Sequence, residues 1–141
     1  MFKITPIQSP EAQIARAKEC GITARDGFFA YEMFDVDTLE LMGMSQFEIS
    51  ADGGYISELV PKIGYDDFEA MFILGRQTMN FIELCGARTV KASDAYTDSS
   101  LLRAIGFKKL ENGEYFCDME GMFDGKHCSG HAVDLEEAAK N

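Results

Sequence analysis

The hydrophobic pattern changes period several times along the chain, and each change predicts an element. From 68 to 85, Phe68, Met71, Phe72, Met79 and Ile82 recur at helical spacing, with Leu74, Phe81 and Cys85 widening the stripe. A helix apolar over so much of its circumference is expected to be mostly buried. The preceding residues 55–60 alternate as a strand, with Tyr55, Ser57 and Leu59 on one face and Ile56, Glu58 and Val60 on the other. Gly86 ends the helix, and residues 87–92, which include Thr89 and Val90, supply a further strand. A strand, helix and strand in this order predict a parallel pair with a right-handed crossover.

Residues 2–7 predict a short edge strand limited by Pro6, and Ser9-Pro10 opens a helix that Gly21 closes. Aromatic-rich 28–34 and mixed 39–49 predict two strands turning at Asp35-Val36-Asp37, with Gly43 marking a bulge or bend in the second. The turn Ala51-Asp52-Gly53-Gly54 then makes 55–60 the third strand of a meander. Downstream, Asp98 or Ser99 caps a short helix through Ala104, and Gly106-Phe107 leads to a hairpin of 108–110 with 114–119. The expected architecture is α/β: a mixed central sheet, antiparallel meander plus parallel strand-helix-strand unit, flanked by helices. Residues 1–121 read as one domain and 122–141 as a polar, acidic C-terminal tail, with a frayed helix at 134–140.

With 141 residues and 46% hydrophobic content, the chain is long enough to bury a real core. A formal net charge of −11 removes the basic footprint needed for nucleic acid and repels anionic membrane surfaces. The N-terminus lacks the apolar run of a secretory signal and no stretch approaches membrane-spanning length, so the expected location is cytoplasmic. Cys20, Cys85, Cys117 and Cys128 are scattered as reduced thiols would be, and Cys20 and Cys85, each before a glycine at a helix end, read as small buried residues. The methionines Met33, Met42, Met44, Met71 and Met79 read as adaptable core packing.

The strand Tyr55-Ile56-Ser57-Glu58-Leu59-Val60-Pro61, the helix ending at Cys85-Gly86, and Ile105-Gly106-Phe107 lie in an order that resembles the GNAT superfamily of N-acetyltransferases. The resemblance implies a sheet that splays between its fourth and fifth strands, here 55–60 and 87–92, with acetyl-CoA or another acyl-CoA in the splay. It implies that main chain at Leu59 and Val60 pairs with the pantetheine arm and acyl carbonyl, with Lys62 and Gly64 of the following junction also at the cofactor. The acceptor it implies is a small-molecule amine or a peptide. Glu58 would be the candidate general base, and Tyr96 the candidate acid toward the leaving thiolate.

Two departures from the family pattern stand beside this. Its glycine-rich pyrophosphate loop aligns roughly with 66–71, which retains none of the glycines and carries Asp66, Asp67 and Glu69 instead. Asp66-x-x-Glu69 reads as a capping box, with Asp66 serving the helix N–H groups. The tyrosine expected four residues before the glycine of Gly-Phe is Leu102, which cannot donate a proton. The leading expectation is therefore an acyl-CoA-dependent N-acyltransferase. Its rival is a non-catalytic GNAT-fold module that binds a ligand or protein partner, as a homodimer in one form. A lesser alternative is zinc held by Cys117, His127, Cys128 and His131, although their spacing matches no strong finger pattern.

Overall fold

The structure, a computed structural model, describes residues 1–123. Its elements run β1 (Phe2–Pro6), α1 (Pro10–Glu19), β2 (Phe29–Asp35), β3 (Leu41–Ser50), β4 (Gly53–Pro61), α2 (Phe68–Leu84), β5 (Thr89–Ala92), α3 (Ser99–Ile105), β6 (Lys108–Lys109) and β7 (Tyr115–Asp118). All seven strands form one sheet in the order β1-β2-β3-β4-β5-β7-β6. β1 to β4 are antiparallel neighbours, β4 and β5 are parallel, and β7 enters antiparallel between β5 and β6. The meander, the parallel unit and the terminal hairpin are all as the sequence predicts.

Local chemistry sets the ends of these elements. Ser9 caps α1 by accepting from the Ala12 N–H at 3.1 Å, and Pro10 occupies the first turn, where its missing N–H costs nothing. α1 closes where Gly21, at φ +74°, lets the Ile22 N–H return to the Ala17 carbonyl. The β2–β3 turn runs longer than expected, with β3 beginning at Leu41 and not at residue 39. Asp35 accepts from the N–H groups of Asp37 and Thr38, and Leu39 takes a φ of +64°, exposed at the turn rather than in the strand.

Two apolar clusters lie on opposite faces of the sheet. The larger packs α2 and α3 over the strands through Met71, Leu74, Met79, Ile82, Leu102 and Ile105, all nearly inaccessible to solvent. The smaller joins Ala17 and Cys20 of α1 to Ala30, Leu41, Met44 and Val60. α2 buries most of its stripe, but Phe68, the first residue of the helix, is 47% exposed. Cys20 is buried as expected, and burial pushes its thiol up to about 12. Cys85 is exposed, correcting the expectation of a buried thiol there: it is the C-cap of α2, past the last residue that faces the core.

Two β-bulges shape the middle of the sheet. The first falls at Met42, where Met33 pairs with Gly43 and Phe34 with Leu41. Gly43 is required there because a Cβ would lie 2.6 Å from both Met71 Cε and the Val60 carbonyl oxygen. The second falls at Ser57, since Gln46 pairs with Glu58 and Phe47 with Ile56. An extra residue shifts every later side chain to the other face. The expected alternation therefore fails: Ile56 and Leu59 both join the α2-side cluster, while Val60 joins the α1-side cluster.

Candidate functional site

The resemblance locates the ligand cleft where β4 and β5 part, and the register shows where that is. The two strands pair at Gly54–Val90, Tyr55–Lys91 and Ile56–Ala92, followed by a hydrogen bond from the Ser93 N–H to the Ile56 carbonyl. β4 then runs on through Pro61 with no β5 partner. A cavity of about 210 Å³ opens in this gap, its apolar wall formed by Leu59, Pro61, Met71 and Leu101. Phe68, Tyr96, Asp66, Asp67 and Asp98 line its remainder, so its polar wall is acidic.

The main chain expected to meet the pantetheine arm is engaged by the protein itself. The Leu59 N–H donates to Thr97 Oγ1 at 3.0 Å, and Thr97 is 4% exposed. Val60 is buried, its side chain in the cluster under α1. The Lys62 N–H donates to the Met42 carbonyl at 2.9 Å, and the Tyr65 N–H closes a turn onto the Lys62 carbonyl. Gly64 sits in that turn at φ +86° with open space around it, so turn geometry accounts for the glycine.

The cap of α2 is Asp67, whose carboxylate accepts from the Ala70 N–H at 3.0 Å, and not Asp66. The cap is thus one residue later than expected and the capping box does not form, since the third helical position is Ala70, whose methyl cannot hydrogen-bond back to the cap. Asp67 and Glu69 place negative charge on the positive end of the helix dipole, where a pyrophosphate would otherwise be attracted. These residues do not fit an acyl-CoA pyrophosphate.

Glu58 lies on the α1 side of the sheet, 1% exposed, at the centre of a polar network. Arg25, from the segment between α1 and β2, approaches it edge-on: Nε lies 3.0 and 2.9 Å from the two carboxylate oxygens and Nη2 lies 2.8 Å from Oε2. Gln46 Nε2 donates to Glu58 Oε1 at 2.9 Å, and Ser57 Oγ donates to the same oxygen. Gln46 in turn donates to the Thr23 carbonyl and accepts from Gln13 Nε2 and the Arg25 N–H, so it ties α1 and the 21–28 segment to the sheet. The hydrogen bond to Glu58, stronger than the opposing effect of burial, raises Arg25 above the ordinary arginine range.

Tyr96 is 58% exposed at the cavity rim and makes no hydrogen bond among the described residues. Leu102, at the place of the expected tyrosine, is fully buried in the core. On the α1 side a second cavity, of about 380 Å³, opens between the start of α1 and the segment from Ala24 to Phe29. Arg25, Gln13, Ile14, Phe28 and Phe29 line it, and Arg25 lies over the Phe28 ring at 5.7 Å.

Among the described residues no group of three or more His, Cys, Asp or Glu side chains could hold a metal ion. Cys117 is buried in β7, and His127, Cys128 and His131 lie outside the described residues. No described helix is long and apolar enough to cross a membrane. Arg25, Gln46 and Thr97 were not legible as site residues, because each meets β4 only through folding at a distance in sequence.

No family model and no curated protein matches the sequence. Solved structures do match in shape. An Escherichia coli ribosomal-protein-S18-alanine N-acetyltransferase aligns with a TM-score of 0.60 at 10% identity, over 82% of this chain and 89% of that one. A Bacillus subtilis acetyltransferase in complex with CoA aligns at 0.63 and 14% identity, over 84% of this chain and 99% of the other. A Desulfovibrio desulfuricans protein assigned to the GNAT family of acetyltransferases aligns at 0.62 and 13% identity, over the same 84% and 99%. The chain therefore has the GNAT acetyltransferase fold, carried by a widely diverged sequence.

Proposed function

We propose that this protein is a GNAT-fold binding module that does not carry out acyl transfer. The observation that carries this reading is the state of Glu58. A general base must reach its proton directly or through one water. Glu58 instead is 1% exposed and meets Arg25 through both of its oxygens, with Gln46 and Ser57 as further donors. The cleft supports the same reading, since Thr97 takes the Leu59 N–H and Asp66 and Asp67 face the place of the cofactor phosphates. Like charges at close range in a partly desolvated site repel by about a kcal/mol or more. The α1-side cavity beside Arg25 is then the surface open to a ligand.

One observation favours acyl transfer as a second reading: the gap between β4 and β5 persists, with an apolar wall suited to an acyl or pantetheine chain. In that reading acyl-CoA is the cofactor, Leu59, Val60, Lys62 and Gly64 surround it, and Glu58 and Tyr96 serve an amine or peptide acceptor. Titration of the purified protein with acetyl-CoA by calorimetry separates the two. The binding module shows no saturable heat up to millimolar cofactor and no thiol release in the presence of mixed amines. Saturable one-to-one binding would overturn it in favour of the transferase.

A further inference from the structure

Among the described residues, Arg16, Arg25, Arg88 and Lys91 each lie within reach of a carboxylate. Arg76, Arg103 and Lys109 do not, nor do Lys3, Lys18, Lys62 and Lys108, and the first three gather on one side of the sheet. The Arg103 guanidinium and the Lys109 ammonium both stand over the ring of buried Tyr115, at 6.0 and 5.9 Å. Arg76 donates from Nε to the Ile105 carbonyl at 3.1 Å and lies over Phe72. Cys117, which shares a face of β7 with Tyr115, is close enough to Arg76 for their charges to interact. Burial lowers the Arg76 pKa with no carboxylate among the described residues to offset it.

The chain leaves the described structure at this same face. A Cβ on Gly106 would lie 3.1 Å from Met122 Cε and 3.6 Å from Cys117 Sγ, and Phe123 packs against the same core. Beyond it the sequence carries Asp124, Asp134, Glu136 and Glu137 against Lys126 and Lys140. Residues 124–133, at up to about 3.3 Å each when extended, let the acidic stretch reach any part of a face this size. In a chain of net charge −11, a cationic patch is where an acidic segment is drawn in rather than repelled. Tethering gives that segment an effective concentration of roughly millimolar, well above that of a second copy at ordinary protein concentration.

We propose that the face formed by Arg76, Arg103 and Lys109 docks the chain's own C-terminal acidic segment, through Asp134, Glu136 and Glu137. The contact covers a cationic side of α2, α3 and β6 whose Arg76, Arg103 and Lys109 have no carboxylate partner among the described residues. It stands independently of the reading of the cleft.

The test is zero-length carbodiimide cross-linking of the full chain, mapped by peptide mass spectrometry, on an equal mixture of ¹⁴N- and ¹⁵N-labelled protein. The Lys91–Glu114 pair, 3.4 Å apart, serves as the internal control link. The expected result is an isotopically unmixed link from Lys109 to Asp134, Glu136 or Glu137, reduced several-fold in about 0.5 M NaCl, where screening is strong. R76Q/R103Q, which keeps Lys109, should also lower that link several-fold while leaving the control link and the circular dichroism spectrum unchanged. Isotopically mixed links would assign the face to a second copy and overturn the proposal. A control link without any Lys109 link to the acidic segment, or a Lys109 link indifferent to R76Q/R103Q, would overturn it too.

Discussion

Three side chains converge on the buried carboxylate of Glu58, and each arrives from elsewhere in the chain or at a bulge. Arg25 lies 33 residues away and Gln46 lies 12 residues away, while Ser57 reaches it because the bulge turns that residue aside. Removing one partner of a buried ion pair leaves an uncompensated charge, whereas neutralising both removes the problem. Arg25→Met is therefore expected to lower unfolding stability by about 3 kcal/mol, the lower end of the usual range because Gln46 and Ser57 remain. In an Glu58→Gln background the same substitution should cost less than about half as much. Chemical denaturation of the two single variants and the double variant measures this coupling. Equal costs in both backgrounds would mean that Arg25 contributes through packing on Phe28 alone. The sequence alone singles out Glu58, because a carboxylate on a strand is visible in a pattern. It is silent on Arg25, Gln46 and Thr97, because side-chain pairing across 12 to 38 residues depends on the finished sheet.

Elements were legible wherever a period persisted. The stripe of α2, the alternation of the meander and the glycines closing α1 and α2 all predict what forms. A bulge is different, because it depends on how two strands agree in register rather than on either strand by itself. The Ser57 bulge thus turned the predicted faces of β4 over, and it is what places Leu59 toward α2 and Val60 toward α1. The start of α2 poses a similar problem, since Asp66 and Asp67 are chemically equal caps and only the path of the chain chooses between them. With Asp67 bonded to the Ala70 N–H, Asp67→Ala should cost about 1 kcal/mol. Asp66 makes no such bond and is exposed, so Asp66→Ala should stay within about 0.5 kcal/mol of the parent. Urea midpoints at unchanged m-value provide the comparison. A larger loss at Asp66 would return the cap to the position that the sequence pattern suggested.

For the whole molecule, charge and architecture act against each other. A net charge of −11 on 141 residues favours expansion, because the acids repel across the surface more than the scattered pairs attract. Two of those pairs, Arg88–Glu120 at 3.9 Å and Lys91–Glu114 at 3.4 Å, are well exposed and contribute roughly 0 to 1 kcal/mol each at most. The Arg25–Glu58 pair has its carboxylate inside the protein, where mobile ions screen it poorly. Raising ionic strength from about 0.01 to 0.15 M shortens the screening length from about 30 to 8 Å. That range removes most of the long-distance repulsion and little of the buried attraction. Tm is therefore expected to rise by about 3–5 °C, the shift that a gain of roughly 1 kcal/mol gives a domain of this size. Scanning at two protein concentrations separates this from salt-driven self-association, which would make Tm depend on concentration. A Tm that falls with added NaCl at both concentrations would mean that local ion pairing, including a docked acidic segment on Arg76, Arg103 and Lys109, outweighs the repulsion carried by the rest of the surface.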